Sequence, residues 1–320
     1  MSTFSESAPL DASMLSTQTL LSQPRPPLPP TLATLTAFLS TFFPLRPRDV
    51  PFEYHVPRTA FFNPAKVLVS DVVFSITATP GVYAALKRKT PAPAVAFLHR
   101  PFGLDRYNVR RGSTVLSSHV GFDEVLTVGW NTVLAARLDM EVEHSACLQG
   151  YKGDPDRRIG IVGGVTSTVG KLLNAIKVEF GTIEGLHGAV EEDEDTLDQD
   201  IGAVAIMNAF HPEEIDRVLT AAYEKGWIDG TENGSEVLYL TGQAREAGLI
   251  AAMAKGLKVV CVGHRTAEEW GIRYLAERTR AEFPMTRVEE VYEDEEPRPP
   301  RPPKQPPKPQ NGAVVESSQG

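Results

Sequence analysis

Residues 258–270, Lys-Val-Val-Cys-Val-Gly-His-Arg-Thr-Ala-Glu-Glu-Trp, form the stretch on which the fold turns. Lys258 to Val262 is a short apolar run, partly β-branched and closed by Gly263, which is the pattern of a buried strand. Thr266 can cap the helix expected next, over 266–283, with Glu268 and Glu269 in its first turn. His264 falls just past the strand, and Glu268, four residues on, shares its helix face. An imidazole and a carboxylate on one face, at the carboxyl end of a strand, can close on a metal ion. A single His-x-x-x-Glu is equally the mark of a solvated helix face.

The same arrangement recurs upstream. Thr114 to Ser118 reads as a strand, His119 follows it, and Asp123 stands four residues later. Ala94 to Leu98 reads as a third strand and runs directly into His99. Three strand ends therefore each present a histidine to the rim where open α/β sheets gather their ligands. The repetition points to a shared metal site. The competing account is a set of histidines that only satisfy strand-end hydrogen bonds. His211, past the expected strand Ala203–Met207, could reach the same rim, but it has no carboxylate four residues on and reads as a capping or surface residue.

Working outward, Lys66–Phe74 (strand), Pro80–Lys89 (helix) and Val95–Leu98 (strand) make a β-α-β unit, which demands a parallel pair with a right-handed crossover. A short helix is expected over Leu32–Phe43, stopped at Pro44, and another through Asn131, Leu134 and Leu138. Residues 149–157 read as a loop and an internal boundary. Beyond it come strands at 159–165 and Val237–Leu240, a helix over Pro212–Tyr223 and one ending at Ala254. The glycines at 160, 163, 164 and 170 with Lys171 do not make a phosphate loop. Gly164 and Gly170 are one residue too far apart, and Leu172 stands where a Ser or Thr is required. No G-x-G-x-x-G fingerprint occurs.

The chain of 320 residues has room for two domains, or one large one, with tails. A net charge of -9 argues against a nucleic-acid partner. Cys147 and Cys261 do not make a disulfide framework, which suits a reducing compartment; the cytoplasm is expected, with mitochondrion and nucleus as alternatives. No stretch reaches the ~18 apolar residues of a membrane span. The expected organisation is a disordered tail over 1–30, one α/β half over 31–150, a second over 151–287, and a disordered acidic and Pro-rich tail over 288–320. The acidic run at 190–200 reads as a solvated loop. The polyproline stretch 297–309 reads either as a dock for an SH3-type partner or as a solubilising extension.

Four motifs in order carry a family resemblance: Leu98-His99-Arg100-Pro101, Ser118-His119-x-x-x-Asp123 with Gly129-x-Asn131, Leu240-Thr241-Gly242, and Gly263-His264-x-x-x-Glu268. Over about residues 60–285 the chain resembles the NIF-three-like family, often labelled GTP cyclohydrolase 1 type 2 homologues, as a divergent member of fungal type. The resemblance implies an α/β fold of two related halves with mixed sheets, a metal site at strand carboxyl ends, toroidal homohexamers and a two-metal centre. It assigns His99, His119, Asp123, His264 and Glu268 to the metal, with Asp123 bridging. Three departures stand out. Arg100 occupies the place of the family's second histidine, Gln243 that of a glutamate, and the family's Trp-Asp-Asn segment is not recognisable in 44–63. An arginine cation opposes a second dication, so one or two divalent ions (Zn, Mn, Fe or Ni) are expected per chain. Arg100 and Thr241 become candidates for contact with an anionic substrate. Two functions follow. One is a metal-dependent hydrolase of unstated substrate, without the GTP specificity of the label. The other is a non-catalytic metal-binding scaffold, since the family is named for binding a transcriptional co-regulator.

Overall fold

The computed structural model describes residues 28–188 and 194–295. Residues 1–27 of the tail expected over 1–30, part of the acidic run and the polyproline stretch lie outside these residues. In chain order the first elements are α1 (Leu32–Ser40), β1 (Glu53–His55), β2 (Asp71–Thr77), α2 (Pro80–Leu86), β3 (Val95–Arg100), β4 (Thr114–Ser117), α3 (Val120–Val125) and α4 (Thr132–Arg137). Then follow β5 (Ala146–Tyr151), β6 (Asp154–Thr168), α5 (Val169–Phe180), β7 (Gly185–His187), α6 (Glu194–Leu197) and β8 (Asp200–Met207). The remainder is α7 (Pro212–Glu224), β9 (Val237–Thr241), α8 (Glu246–Ala254), β10 (Lys258–Cys261), α9 (His264–Glu282) and β11 (Arg287–Val291).

Two mixed sheets result, one ordered β1-β4-β3-β2-β11 and the other β5-β6-β8-β9-β10-β7. In the first, β2, β3, β4 and β11 run parallel and β1 antiparallel. In the second, β8, β9 and β10 run parallel while β5, β6 and β7 are antiparallel to their neighbours. Alternation along β2 sends Phe74 and Ile76 into a core shared with the second sheet and Val73 onto the α2 side. The shared core draws on both sheets and on α1, α3, α4, α5 and α9, with Trp270, Phe97 and Phe122 among its largest members. The far face of the second sheet is covered by α7 through Ile215, Val218 and Leu219, and by Ala252 of α8. Among the described residues no helix is long and apolar enough to cross a membrane.

Several expectations about boundaries need correction. Thr266 does not cap α9. Gly263 does, at φ +91, a left-handed conformation open to glycine, so the chain turns straight from β10 into a helix whose first residue is His264. The segment 149–157, expected as a loop between halves, is a hairpin in which Tyr151 pairs with Asp154, and both of its strands belong to the second sheet. The glycine run at 160–164 lies within β6, and α5 follows with Thr168 as its cap. The first residues of the tail expected from 288 are part of the fold, because β11 pairs with β2 over Arg287 to Val291 and Val291 is buried. The last described strand thus completes the first sheet.

A chain truncated after residue 286 should therefore melt lower than one truncated after 295 by at least about 5 °C in a calorimetric scan. Equal midpoints would show that β11 contributes nothing.

Candidate metal centre

His99 is the penultimate residue of β3, an inner strand of the first sheet, and is fully buried. Its ring stacks with those of His119 (centroids 5.1 Å apart, 6° between planes) and Phe122 (4.3 Å). Nδ1 is 3.2 Å from the Ser118 carbonyl and donates to it, which turns Nε2 toward the carboxylates. Nε2 stands 3.3 Å from Asp123 Oδ1 and 3.2 Å from Glu268 Oε1, but makes no well-directed hydrogen bond to either. It is a buried polar atom in contact with two acceptors. Such a contact is stable only with a positive charge at the nitrogen or between the three atoms. In the protein alone that charge is a proton. Burial pushes the His99 imidazole down, but Asp123 and Glu268 outweigh it and raise it to about 9.

His119 and Asp123 are brought together by α3. His119 precedes the helix and Asp123 lies in its first turn. So short a helix has little stability of its own, and two outside groups hold it. Asp49 accepts hydrogen bonds from the backbone N–H of His119 (2.8 Å), Val120 (3.0 Å) and Gly121 (2.9 Å), and from the Ser118 hydroxyl (3.0 Å). Burial works against the Asp49 carboxylate, but these backbone donors hold it below the usual carboxylate range. Glu124, fully buried, accepts from Arg46 at 2.6 Å and from the Arg158 N–H at 3.2 Å, which ties α3 to β6.

The two carboxylates share a pattern. Asp123 turns Oδ1 to His99 and Oδ2 to Arg157, 3.4 Å away. Glu268 turns Oε1 to His99 and to His264 Nε2 (3.3 Å), and Oε2 to Arg100 Nη2 (3.3 Å). Burial raises the Glu268 carboxyl, but His264, His99 and Arg100 hold it far below the ordinary carboxylate range. Among the described residues, His99, His119 and Asp123 offer ligand atoms that all lie within 4.8 Å of one another. Glu268 joins them through His99. His264, largely exposed, is one contact further out. Arg100 touches the cluster, whereas the hydroxyl of Thr241 accepts from the Gln243 N–H and none of its hydrogen bonds among the described residues reaches the site. His211 lies elsewhere, 3.5 Å from Arg245. Asn131 caps α4 by accepting from the Leu134 N–H, so its motif serves the fold.

Two contributors escape sequence reasoning. Asp49 sits in the 44–63 segment that lacks the expected Trp-Asp-Asn, and Arg157 comes from the hairpin expected to be a loop. Neither has a fixed spacing to the histidines, so no periodicity could single them out. Beside the cluster, Arg46, Arg48, Val120, Tyr151, Lys152 and Arg157 help line a cleft of about 440 Å³.

A family model described as Duf34/NIF3 (NGG1p interacting factor 3) matches residues 107–299. No curated protein matches the chain in sequence. Among solved structures, reduced HcgD from Methanocaldococcus jannaschii is similar at TM-score 0.52 and 17% identity, over 81% of this chain and 97% of that one. Staphylococcus aureus protein SA1388 is similar at TM-score 0.52 and 14% identity, over 83% and 98%. At these identities the likeness is one of fold.

Two measurements test this geometry. Asp49→Ala leaves three N–H groups without their acceptor and should destabilise the protein by about 2 kcal/mol in urea, with Asp49→Asn losing less. No loss in either would remove Asp49 from its supporting role. The second concerns pH. His99 titrates higher folded than unfolded, so its contribution to stability is whole below about pH 6.5 and is lost as pH rises through about 9. Chelator-treated protein should therefore melt progressively lower from pH 6.5 to 9, and His99→Gln should flatten that decline. A decline of the same size in His99→Gln would assign it to other groups.

Proposed function

The chain belongs to the Duf34/NIF3 family, and from that premise we propose that it is a metal-binding protein built around one divalent ion, acting as a metal-dependent hydrolase. The observation that carries this reading is the buried His99 Nε2, in contact with two carboxylate oxygens and lacking a hydrogen-bond partner. His99, His119 and Asp123 would hold the ion, with Glu268 and His264 completing the set. A bound divalent ion there supplies a Lewis acid and an acidified water. Imidazole and carboxylate donors suit Zn, Mn, Fe or Ni without choosing among them.

The chain's own residues set the number of ions. Arg157 donates to the outer oxygen of Asp123, and Arg100 lies 3.3 Å from the outer oxygen of Glu268, an ion-pair contact without a well-directed hydrogen bond. With a guanidinium already beside each carboxylate, a second dication would meet repulsion from a cation at either side of the centre. The stacked His119 and Phe122 rings screen His99 from water. The same arginines favour a second reading, a metal-holding scaffold without turnover, because guanidinium groups at both carboxylates replace what a second ion would supply. The family resemblance extends either reading to a homohexamer.

Elemental mass spectrometry on untagged protein and on Asp123→Ala, with mass and circular dichroism alongside, tests the reading. One transition-metal equivalent per chain, lost in the folded variant, is expected. Two equivalents would restore the dinuclear centre, and none in folded protein would end the metal reading. A hydrolase should lose turnover in Asp123→Ala. A scaffold should keep its partner through that change and lose it when residues 296–320 are deleted.

A further inference from the structure

We propose that Arg100 anchors an oxyanion-binding subsite at the mouth of the metal centre, and that the acidic segment Glu293–Glu295 occupies it as an internal ligand. The proposal rests on the metal-centre reading and names the chemistry of what that centre would act on, a small molecule carrying a carboxylate or phosphate.

From the sequence, residues 289–296 are the acidic part of an expected disordered tail. The structure pins three consecutive acids of it. Glu293 accepts from the backbone N–H of Gly81 in the first turn of α2, at 2.7 Å. Asp294 accepts from Arg265 Nη1 at 2.6 Å, and Arg265 Nη2 donates to the Tyr292 carbonyl at 3.0 Å. Glu295 pairs with Arg100 Nη2 at 2.7 Å. Leaving β11, the chain thus crosses the carboxyl end of the first sheet and sets a carboxylate on the arginine that also touches Glu268.

Arg100 has the form of a receptor for such a group. Its Nη2 is shared between Glu268 and Glu295, while its Nε is buried and has no partner. A guanidinium is a planar fork that takes a carboxylate or phosphate through two parallel N–H bonds. Glu295 uses one arm of that fork and keeps a side chain 45% exposed, so it is a poorly buried occupant that a bidentate oxyanion can displace. Arg265 carries the strap on the residue next to His264, which couples the segment's position to the first turn of α9. Gly81 is matched to this contact. A Cβ there would stand 2.5 Å from Glu293 Oε1, so an alanine would force the glutamate away while suiting the helix.

The test is calorimetric titration of inorganic phosphate and of acetate into the full-length protein as purified, with metal content measured on each sample. Glu295→Gln should bind the oxyanion at least about fivefold more tightly than the wild type. Gly81→Ala should shift affinity in the same direction, and Arg100→Gln should abolish binding in a fold confirmed by circular dichroism. Phosphate the tighter probe would indicate a phosphorylated ligand, acetate the tighter a carboxylate. Unchanged affinity in Glu295→Gln, binding that survives Arg100→Gln, or no binding in any of the proteins would each overturn the proposal. Absence of metal in these samples would instead sink the metal-centre reading, and the effect of Arg100 on oxyanion binding would still be read.

Discussion

A neutral imidazole nitrogen and a carboxylate oxygen are both acceptors, and in this protein one such nitrogen is buried against two such oxygens. That contact, at His99, is the constraint on which the surrounding structure depends. The Ser118 carbonyl takes the proton of the opposite ring nitrogen, so the ring cannot relieve the clash by turning over. Phe122 and His119 stack on its faces, so it cannot move into solvent. Positive charge has to enter the cluster, and the fold is arranged so that it can.

The arginines determine how much charge is needed. Two carboxylates with free outer oxygens would call for two dications or an equivalent. Here Arg157 and Arg100 meet those outer oxygens. These cations offset part of the negative charge that converges on His99. Arg100 from the first sheet and Arg157 from the second thus place one cation beside each carboxylate.

The same logic links the last strand to the site. β11 lies beside β2, and its continuation brings the acids of 293–295 back to Gly81, Arg265 and Arg100. The second sheet contributes through Arg157, the segment after β11 through Glu295 and the first sheet through His99, so the centre draws on both sheets.

Much of this was legible in the residues. Apolar runs ending in glycine or histidine placed β3, β4 and β10, and the four-residue spacings His119 to Asp123 and His264 to Glu268 put each pair on one helical turn. Proline marked the start of α2, whereas the helix expected through Asn131 begins one residue later, with Asn131 as its cap. These are local signals, because strand alternation and helix periodicity act over a few residues. What the sequence determined by itself was thus an α/β fold with histidines and acids at strand carboxyl ends. Only the tertiary structure decided that Asp49 caps α3, that Arg157 meets Asp123, that the 149–157 segment is a hairpin and that β11 closes the first sheet. All but the hairpin join residues distant in the chain through a hydrogen bond or a strand pairing, and such partners have no fixed spacing until the backbone is folded; the hairpin is local, but its Gly, Pro and Asp residues suit a loop as well as a turn.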